Sequence, residues 1–364
     1  MTRYRFAMVA GIAAVLTSIS PVIRADDNDF TTINPVASTV PLNGDLNPYG
    51  VAIVPLNRGN LIKGNILVSN FNNSGNLQGT GSTIVQISPR GNLSVFAQIS
   101  AAALTPDCPG GVGLTTALVA LRSGGVIVGS LPTTNGQAST AGAGCLIVLD
   151  STGKPVETIS NSMINGPWDM TARDDGDDAE IFVTNVLNNT VATTTNTATV
   201  LRIVLDVSRK ATPQVDSMTV IGSGFPVRTD PNALVIGPTG VGLGLGDVLY
   251  VADTLGNRIA AIPDAVRRHT SAGAGITVTQ GGALNGPLAL AIGPLDTIAT
   301  VNSLDGNLVF TTPFGNQFFT KQLDNSSNPP GAGALFGLAF GEDGLYFVDD
   351  ATNMLNILQG NSSH

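Results

Sequence analysis

The sequence predicts an all-β fold made of six similar units, and three observations support this prediction. Only 12% of the 364 residues are charged, while 43 are glycine and 21 are proline, a composition typical of short strands joined by tight turns. Residues 247–262 form an alternating apolar run, a turn through Gly256 and Asn257, and a second apolar run. Weaker copies of this pattern recur about every 50 to 65 residues, enough for one four-stranded sheet and its loops.

The first 25 residues are predicted to be a signal peptide. Arg3 and Arg5 precede a mostly apolar stretch over residues 6–19, and Ala25 lies directly before an acidic start at Asp26. The apolar stretch is shorter than a membrane-spanning helix requires, and no cysteine follows it to carry a lipid anchor. We therefore expect a secreted or periplasmic protein with no membrane insertion after signal cleavage, in which residues 26–364 form a single domain.

The net charge of the remaining chain excludes some partners. Cleavage removes three arginines and no acidic residue from a chain of formal net charge −9, which leaves −12. Nucleic acids and anionic membranes are bound by clustered lysines and arginines, so neither is an expected partner. A polar small molecule, a glycan or a peptide remains as an expected partner, and the negative charge is compatible with binding cations.

Six segments share one order of elements, namely a Gly or Pro turn, an apolar strand, a second strand ending in Asn, Asp or Ser, a polar loop and a third strand. The first strands are predicted to begin at Tyr49, Val112, Trp168, Asn232, Leu288 and Phe336. The last segment supplies three strands before the chain ends, and Phe30–Ser38 is predicted to be its fourth. Joining the two ends of the chain in one sheet closes the ring and removes the open sheet edges.

The stretch Y-V-A-D-T-L-G-N-R-I at residues 250–259 resembles the core of an NHL repeat, the unit of six-bladed β-propellers. The resemblance implies an all-β, six-bladed β-propeller of four-stranded blades, closed by the strand at the mature N-terminus. Propellers of this shape also include the gluconolactonase and paraoxonase families. One architecture hosts many functions, so the resemblance implies the fold more than the activity.

Three long loops support a first functional hypothesis. In blades 1 to 3 the segment between the second and third strands is uncharged and rich in Thr, Ser, Asn and Gly, at residues 70–82, 130–144 and 185–199. Loops on a rigid scaffold often carry binding residues, although insertions into surface loops are also well tolerated. The hypothesis is a non-catalytic binding module for a neutral polar ligand such as a glycan or peptide. Its candidate ligand-binding residues are Asn73, Gln78, Thr133, Asn135, Asn188 and Trp168.

The ends of the second strands suggest a metal site. Oxygen-bearing side chains occupy equivalent positions there, at Asn70, Ser130, Asn185, Asp253, Asn302 and Asp350. Oxygen-only coordination suits Ca²⁺. In the gluconolactonase and paraoxonase families, Asn and Asp near the axis hold such a metal, and the resemblance implies the candidate ligands Asp169, Asn185, Asp253 and Asn302. The alternative is that each residue caps its own turn through hydrogen bonds to the backbone.

The predicted first strands also place one residue each at an equivalent position, and five of these six residues are small. The set is Gly50, Gly113, Asp169, Ala233, Ala289 and Gly337. A carboxylate among Gly and Ala near a channel is a candidate ligand or general base, but it can equally accept backbone N–H bonds from a neighbouring blade. Asp169 is therefore the candidate catalytic residue of a second hypothesis, a Ca²⁺-dependent lactonase or esterase. Those families place a Glu ligand early in the chain, whereas the first glutamate here is Glu157.

The cysteines and histidines limit the chemistry further. Cys108 precedes the predicted first strand of blade 2, and Cys145 begins its third strand. Those two strand ends lie on one face of a blade, so the cysteines are predicted to form one disulfide, with two free buried thiols as the alternative. Histidine occurs only at His269 and His364. This scarcity argues against zinc sites built on several histidines and against histidine-based triads.

Overall fold

The computed structural model describes residues 30–104, 106, 108–187, 190–207, 212–231 and 233–360. These residues form six antiparallel sheets, and the innermost strand of each sheet contacts the innermost strands of its two neighbours. The predicted six-bladed β-propeller is thereby confirmed. The predicted signal peptide and Asn188 lie outside the described residues, and the division at residue 25 stays a prediction.

Each blade extends from an inner strand at the axis to an outer strand at the rim, and its strands are named in that order. Blades 1 and 2 contain Leu46–Ile53, Ile66–Asn72, Thr83–Ile87 and Leu93–Gln98, then Leu114–Ala120, Val126–Ser130, Cys145–Leu149 and Pro155–Ile159. Blade 3 contains Pro167–Asp174, Asp178–Asn185, Thr195–Asp206, Gln214–Asp230 and Leu234–Ile236. Blades 4 and 5 contain Pro238–Leu243, Leu249–Asp253, Arg258–Ile262 and Ile276–Gln280, then Pro287–Ile292, Ile298–Asn302, Asn307–Thr311 and Gln317–Gln322. Blade 6 contains Leu335–Gly341, Gly344–Asp349, Met354–Gly360 and Phe30–Ser38, and short 3-10 helices lie at Ala101–Ala103, Ala138–Thr140, Leu245–Asp247 and Pro294–Asp296.

The expected first strand of blade 4 is wrong. Leu234–Ile236 pairs with the end of Gln214–Asp230 as a fifth strand of blade 3, and the inner strand of blade 4 is Pro238–Leu243. A Cβ atom on Gly240 would lie 2.3 Å from the backbone nitrogen of Leu290 in blade 5, so this strand needs a glycine where it approaches its neighbour. Gly240, and not Ala233, therefore occupies the axial position of this blade.

The inner strand of blade 2 also differs from its prediction. In blade 1 the inner strand pairs with the second strand at Pro48 and again at Val51, three residues later. In blade 2 the corresponding pairs are at Leu114 and Leu118, four residues apart. This longer bulge brings Thr116, and not Gly113, to the wall of the axial channel. Gly113 precedes the strand, so the predicted alignment of small residues fails at this blade.

Buried hydroxyl groups connect neighbouring blades. The Ser69 hydroxyl accepts the Gly50 N–H at 2.9 Å within blade 1 and donates to the Thr115 carbonyl of blade 2 at 2.7 Å. The Thr239 hydroxyl of blade 4 donates to the Leu288 carbonyl of blade 5 at 2.6 Å. These bonds satisfy polar groups that the bulges leave unpaired, and they hold the inner strands in register around the axis.

The predicted closing strand is confirmed. Phe30–Ser38 runs antiparallel to Met354–Gly360, with Phe30 opposite Gly360 and Ser38 opposite Met354. The next residue, Thr39, donates its N–H to the Asn353 carbonyl at 2.9 Å. Strands from the beginning and the end of the described chain thus complete one blade and close the ring of six sheets.

The predicted disulfide is also present. Cys108 and Cys145 are bonded with their Cα atoms 5.6 Å apart, and both are buried. Disulfides persist in oxidising compartments, so this bond is compatible with the expected export. Among the described residues, the structure contains no helix that is long and apolar enough to span a membrane.

Candidate functional site

The polar side chains of the long loops are largely used within the loops. Asn73 Oδ1 accepts two backbone N–H bonds from its own loop, at 2.9 and 3.3 Å. Asn135 Oδ1 accepts the Gln137 N–H at 3.1 Å and the Thr140 hydroxyl at 2.7 Å. These oxygens therefore shape their loops, and ligand binding by Asn73 and Asn135 stays a prediction.

Two of the loops pack against each other. The Thr133 hydroxyl donates to the Gln78 carbonyl, and the Thr133 N–H donates to the Gly79 carbonyl at 2.8 Å. Gln78 Nε2 reaches the Pro231 carbonyl at 3.2 Å, while its Oε1 is buried without a partner among the described residues. The loops of blades 1 and 2 thus form one packed surface that extends to the end of blade 3.

An aromatic plug fills the axis at the loop face. We use this name for Tyr49, Phe71, Trp168 and Phe336, which are all buried. The Tyr49 ring stacks on Phe71 and on Phe336 with centroid distances of 4.4 and 3.9 Å, and its centroid lies 6.0 Å from that of Trp168. Trp168 is 1% exposed and so presents almost no surface to a ligand. In the described part of the chain, the axis on the side of the long loops is therefore filled by side chains.

The predicted metal ligands have partners of their own. Asp253 Oδ2 accepts a hydrogen bond from Arg258 Nε at 2.8 Å, and its Oδ1 accepts the Gly256 N–H at 3.0 Å. Burial raises the pKa of Asp253, and the bonds from Gly256 and Arg258 act in the opposite direction. Asn185 Oδ1 accepts the Asn165 N–H at 2.9 Å. The Asp253–Gly256 bond is the turn-capping role that the sequence left open as the alternative, whereas Asn185 bonds to the preceding loop, twenty residues earlier.

The residues present do not fit a Ca²⁺ ion at the axis. Asn302 Nδ2 donates to the Ala283 carbonyl at 2.8 Å and to Asp305 Oδ1 at 3.0 Å, and among the predicted ligand oxygens Asn302 Oδ1 alone is buried without a partner among the described residues. In blade 6 it is Asp349, and not Asp350, that stands opposite the start of the inner strand. The described part of the chain contains no group of three His, Cys, Asp or Glu side chains placed to hold a metal. Ca²⁺ in proteins is held by six to eight oxygens that usually include several carboxylates, and the described residues at the axis do not provide such a group.

Asp169 is a buried carboxylate at the joint between blades 3 and 4. Its Oδ1 accepts the Met170 N–H at 2.8 Å, and its Oδ2 accepts the Val241 N–H of blade 4 at 3.1 Å. The side chain is 7% exposed. Burial raises the pKa of Asp169 to about 7, although both hydrogen bonds act to lower it. The residue therefore bridges two blades and also titrates near neutral pH.

Thr184 holds Asp169 in place. The Asp169 N–H donates to Thr184 Oγ1 at 3.1 Å, and the Thr184 hydroxyl donates to the Thr239 carbonyl of blade 4 at 2.9 Å. Thr184 is fully buried in the second strand of blade 3. It satisfies the N–H that the bulge of the inner strand frees, and it fixes the backbone that carries the Asp169 carboxylate.

Replacing Thr184 by valine is expected to destabilise the fold by about 2 kcal/mol, because the buried Asp169 N–H loses its acceptor. Thr300→Val is the matched control, since Thr300 is also fully buried but its hydroxyl has no partner among the described residues. We expect the control to be neutral or stabilising, because it removes an unpaired polar group. Urea unfolding of both variants measures the difference. Equal losses of stability would contradict the role assigned to Thr184.

A cavity of about 330 Å³ lies on the axis beneath the aromatic plug. The later halves of the six inner strands form its wall, so it opens at the face where first and second strands are joined, opposite the long loops. Most of the lining side chains are apolar, among them Val51, Leu118, Met170, Val241, Leu290 and Leu338, although more of the surface that faces the cavity is polar than apolar. Asp169 and Thr116 also line it, from the inner strands of different blades.

Thr116 is the residue of this cavity that the sequence prediction missed. It is 5% exposed, and its Oγ1 has no hydrogen-bond partner among the described residues. A buried hydroxyl without a partner is uncommon, and here it lies in the wall of a cavity. The only sequence signal was the pair of threonines in an otherwise apolar strand, which also fits ordinary β-sheet packing. The structure thus places the Asp169 carboxylate and a buried, unpartnered hydroxyl in the wall of one cavity, which Asp174 also lines.

Several solved structures are similar to this one at low sequence identity. A gluconolactonase from Xanthomonas campestris is 12% identical, with 93% of this chain and 96% of that chain covered and a TM-score of 0.54. The calcium-binding protein regucalcin from Agrobacterium tumefaciens is 12% identical, with 90% and 95% covered and a TM-score of 0.53. A catalytically inactive variant of virginiamycin B lyase from Staphylococcus aureus, solved with quinupristin, is 14% identical, with 90% and 99% covered and a TM-score of 0.51.

No protein-family model and no curated protein sequence matches the chain. The structural similarities show a β-propeller fold that gluconolactonases share. At these identities they show the fold alone, and they do not test the NHL-repeat assignment. Function must therefore be inferred from the cavity and its residues.

Proposed function

We propose that this protein hydrolyses lactones or related small esters in the axial cavity. The observation that carries the proposal is Asp169, a buried carboxylate with a pKa of about 7 in the wall of the axial cavity. A general base works best when its pKa lies near the working pH. The likeness of the fold to a gluconolactonase supports the same class of substrate.

Two polar side chains of the cavity, those of Asp169 and Thr116, have complementary roles in ester hydrolysis. The ionised Asp169 carboxylate accepts a proton from a water molecule while the water oxygen attacks the lactone carbonyl carbon. The Thr116 hydroxyl, which is buried without a partner among the described residues, turns toward the cavity by a change of side-chain rotamer and donates to the oxyanion that forms. When the ring C–O bond breaks, Asp169 returns its proton to the leaving alkoxide. The product is a hydroxy acid, and the carboxylate of Asp169 is regenerated.

The backbone bonds of Asp169 are compatible with this role. A carboxylate has about four lone-pair sites, and the N–H groups of Met170 and Val241 use two of them. The remaining sites can face the cavity.

The test is a hydrolysis panel of five- and six-membered lactones and aryl esters on the mature protein, with and without prior chelator treatment. We expect turnover above the buffer rate, unchanged by the chelator, because the catalytic groups belong to the chain. Absence of turnover across the panel would overturn the proposal. Turnover that appears only when Ca²⁺ is added would overturn the mechanism assigned to Asp169 and Thr116.

A further inference from the structure

The wall of the axial cavity carries charge of one sign. Among the described residues that line it, Asp169 and Asp174 are ionisable, and none is Lys, Arg or His. Both aspartates belong to the same inner strand, Pro167–Asp174. Five residues of extended strand span about 16 Å, so Asp169 lies deep in the cavity and Asp174 lies near its mouth.

The basic residue next to Asp174 is paired elsewhere. Arg173 forms ion pairs with Asp175 at 3.2 Å, Glu180 at 3.8 Å and Asp247 at 3.9 Å. Asp174 itself accepts the backbone N–H groups of Arg122 and Gly176, which leaves its negative charge without a cationic side chain. No ion pair of Asp174 is found among the described residues.

The turns around the mouth add further negative charge. The turns between the first and second strands carry six acidic residues and three basic ones. The acidic residues are Asp175, Asp177, Asp247, Asp296, Glu342 and Asp343, and the basic residues are Arg58, Lys63 and Arg122. Lys63 is close to Glu342, at 3.7 Å, and Asp247 is paired with Arg173 and with Arg267 at 3.9 and 3.5 Å, so the unpaired acidic groups of these turns are fewer than the count alone indicates. A surplus of acidic groups at the entrance of an apolar cavity attracts cations and repels anions.

We propose that the axial cavity selects ligands with an apolar body and an ammonium group, and that it rejects carboxylates. The proposal rests on the function proposed for the same cavity and names its substrate class, esters or lactones that also carry an amine. The ester would lie at Asp169 and Thr116, and the ammonium would point toward Asp174 at the mouth. The apolar side chains between these two ends would contact the body of the ligand.

This selectivity also suits product release. Hydrolysis of an ester produces a carboxylate next to Asp169 in a cavity without any basic side chain among its described residues. Two like charges at short distance in an apolar site repel each other. The product is thereby expelled toward the mouth, whereas the neutral ester is not.

The experiment compares three probes of equal length, hexylamine, hexan-1-ol and hexanoate, by calorimetric titration of the mature protein at pH 7.5. We expect hexylamine to bind at least about tenfold more tightly than hexan-1-ol, as a hydrogen bond to a charged group implies, and hexanoate not to bind. Asp174→Asn should abolish the preference for the amine and leave hexan-1-ol binding unchanged. Asp177→Asn is the matched control, because Asp177 is exposed in the following turn and does not line the cavity.

Equal affinity for amine and alcohol, or binding of hexanoate, would overturn the proposal. So would an amine preference that survives Asp174→Asn or disappears in Asp177→Asn. The hydrolysis panel separates this failure from failure of the proposed function. Lactone turnover without amine selectivity would keep the proposed hydrolase and remove the proposed substrate class. Amine binding without turnover would remove the hydrolase and keep only the amine-selective cavity.

Discussion

Replacing Asp169 by asparagine is expected to lower kcat for the hydrolysed lactone about 10²- to 10⁴-fold, the range that general-base catalysis contributes. KM should change little, since the amide has nearly the same size and the apolar walls remain. The effect follows from the loss of the group that accepts the proton from water. Steady-state kinetics on the best substrate of the panel measure it.

The pH profile of the wild-type enzyme provides an independent readout. Burial raises the pKa of Asp169 to about 7, and the base must be ionised, so log kcat should rise by about one per pH unit below pH 7 and level off above it. Asp174 is the one other titratable group in the described cavity wall. The inflection should persist in Asp174→Asn and vanish in Asp169→Asn.

Folding must be controlled in the Asp169→Asn variant. An amide offers one acceptor oxygen where the carboxylate offers two, so the N–H of either Met170 or Val241 loses its partner. Circular dichroism and urea unfolding show whether the variant is folded under assay conditions. A folded variant with full activity, or a wild-type profile that is flat between pH 5 and 8, would contradict the role of Asp169 as the base.

Removing the disulfide by Cys108→Ala and Cys145→Ala together is expected to destabilise the protein by about 3–4 kcal/mol. The bond joins residues that are 37 positions apart, and in the chain-entropy model a loop of this length contributes that amount. The loss should not abolish folding, because backbone bonds such as that from the Gly110 N–H to the Ala143 carbonyl, at 3.0 Å, hold the same region. Urea unfolding should show a lower midpoint.

The wild-type protein unfolded with and without reductant is the control for the double variant. Reduction should reproduce the loss of stability caused by the two alanines, with no additional effect of reductant on the variant. Equal midpoints for oxidised and reduced wild type would show that the bond does not constrain the unfolded chain. A change in m-value would instead indicate that the unfolded state itself differs in compactness.

The sequence predicted those features whose partners lie close along the chain or are required by a closed ring. The hairpin around Gly256 is one example, because Asp253 caps a turn only a few residues long and pairs with Arg258. The closing strand Phe30–Ser38 is another, since a last blade with three strands from the end of the chain needs a fourth strand from its beginning. The disulfide followed from an even number of cysteines in a chain expected to be exported.

The tertiary structure decided which strand lies at the axis and which face is open. Two apolar runs, Leu234–Ile236 and Pro238–Leu243, compete for the inner position of blade 4, and the choice depends on the close approach of Gly240 to blade 5. The aromatic plug joins Tyr49, Trp168 and Phe336, which meet across the axis only after the ring has closed. Local pattern contains no information about such contacts, because they depend on the relative rotation of whole blades. For that reason the sequence directed attention to the long loops, whereas packing at the axis placed the cavity of Asp169 and Thr116 on the opposite face.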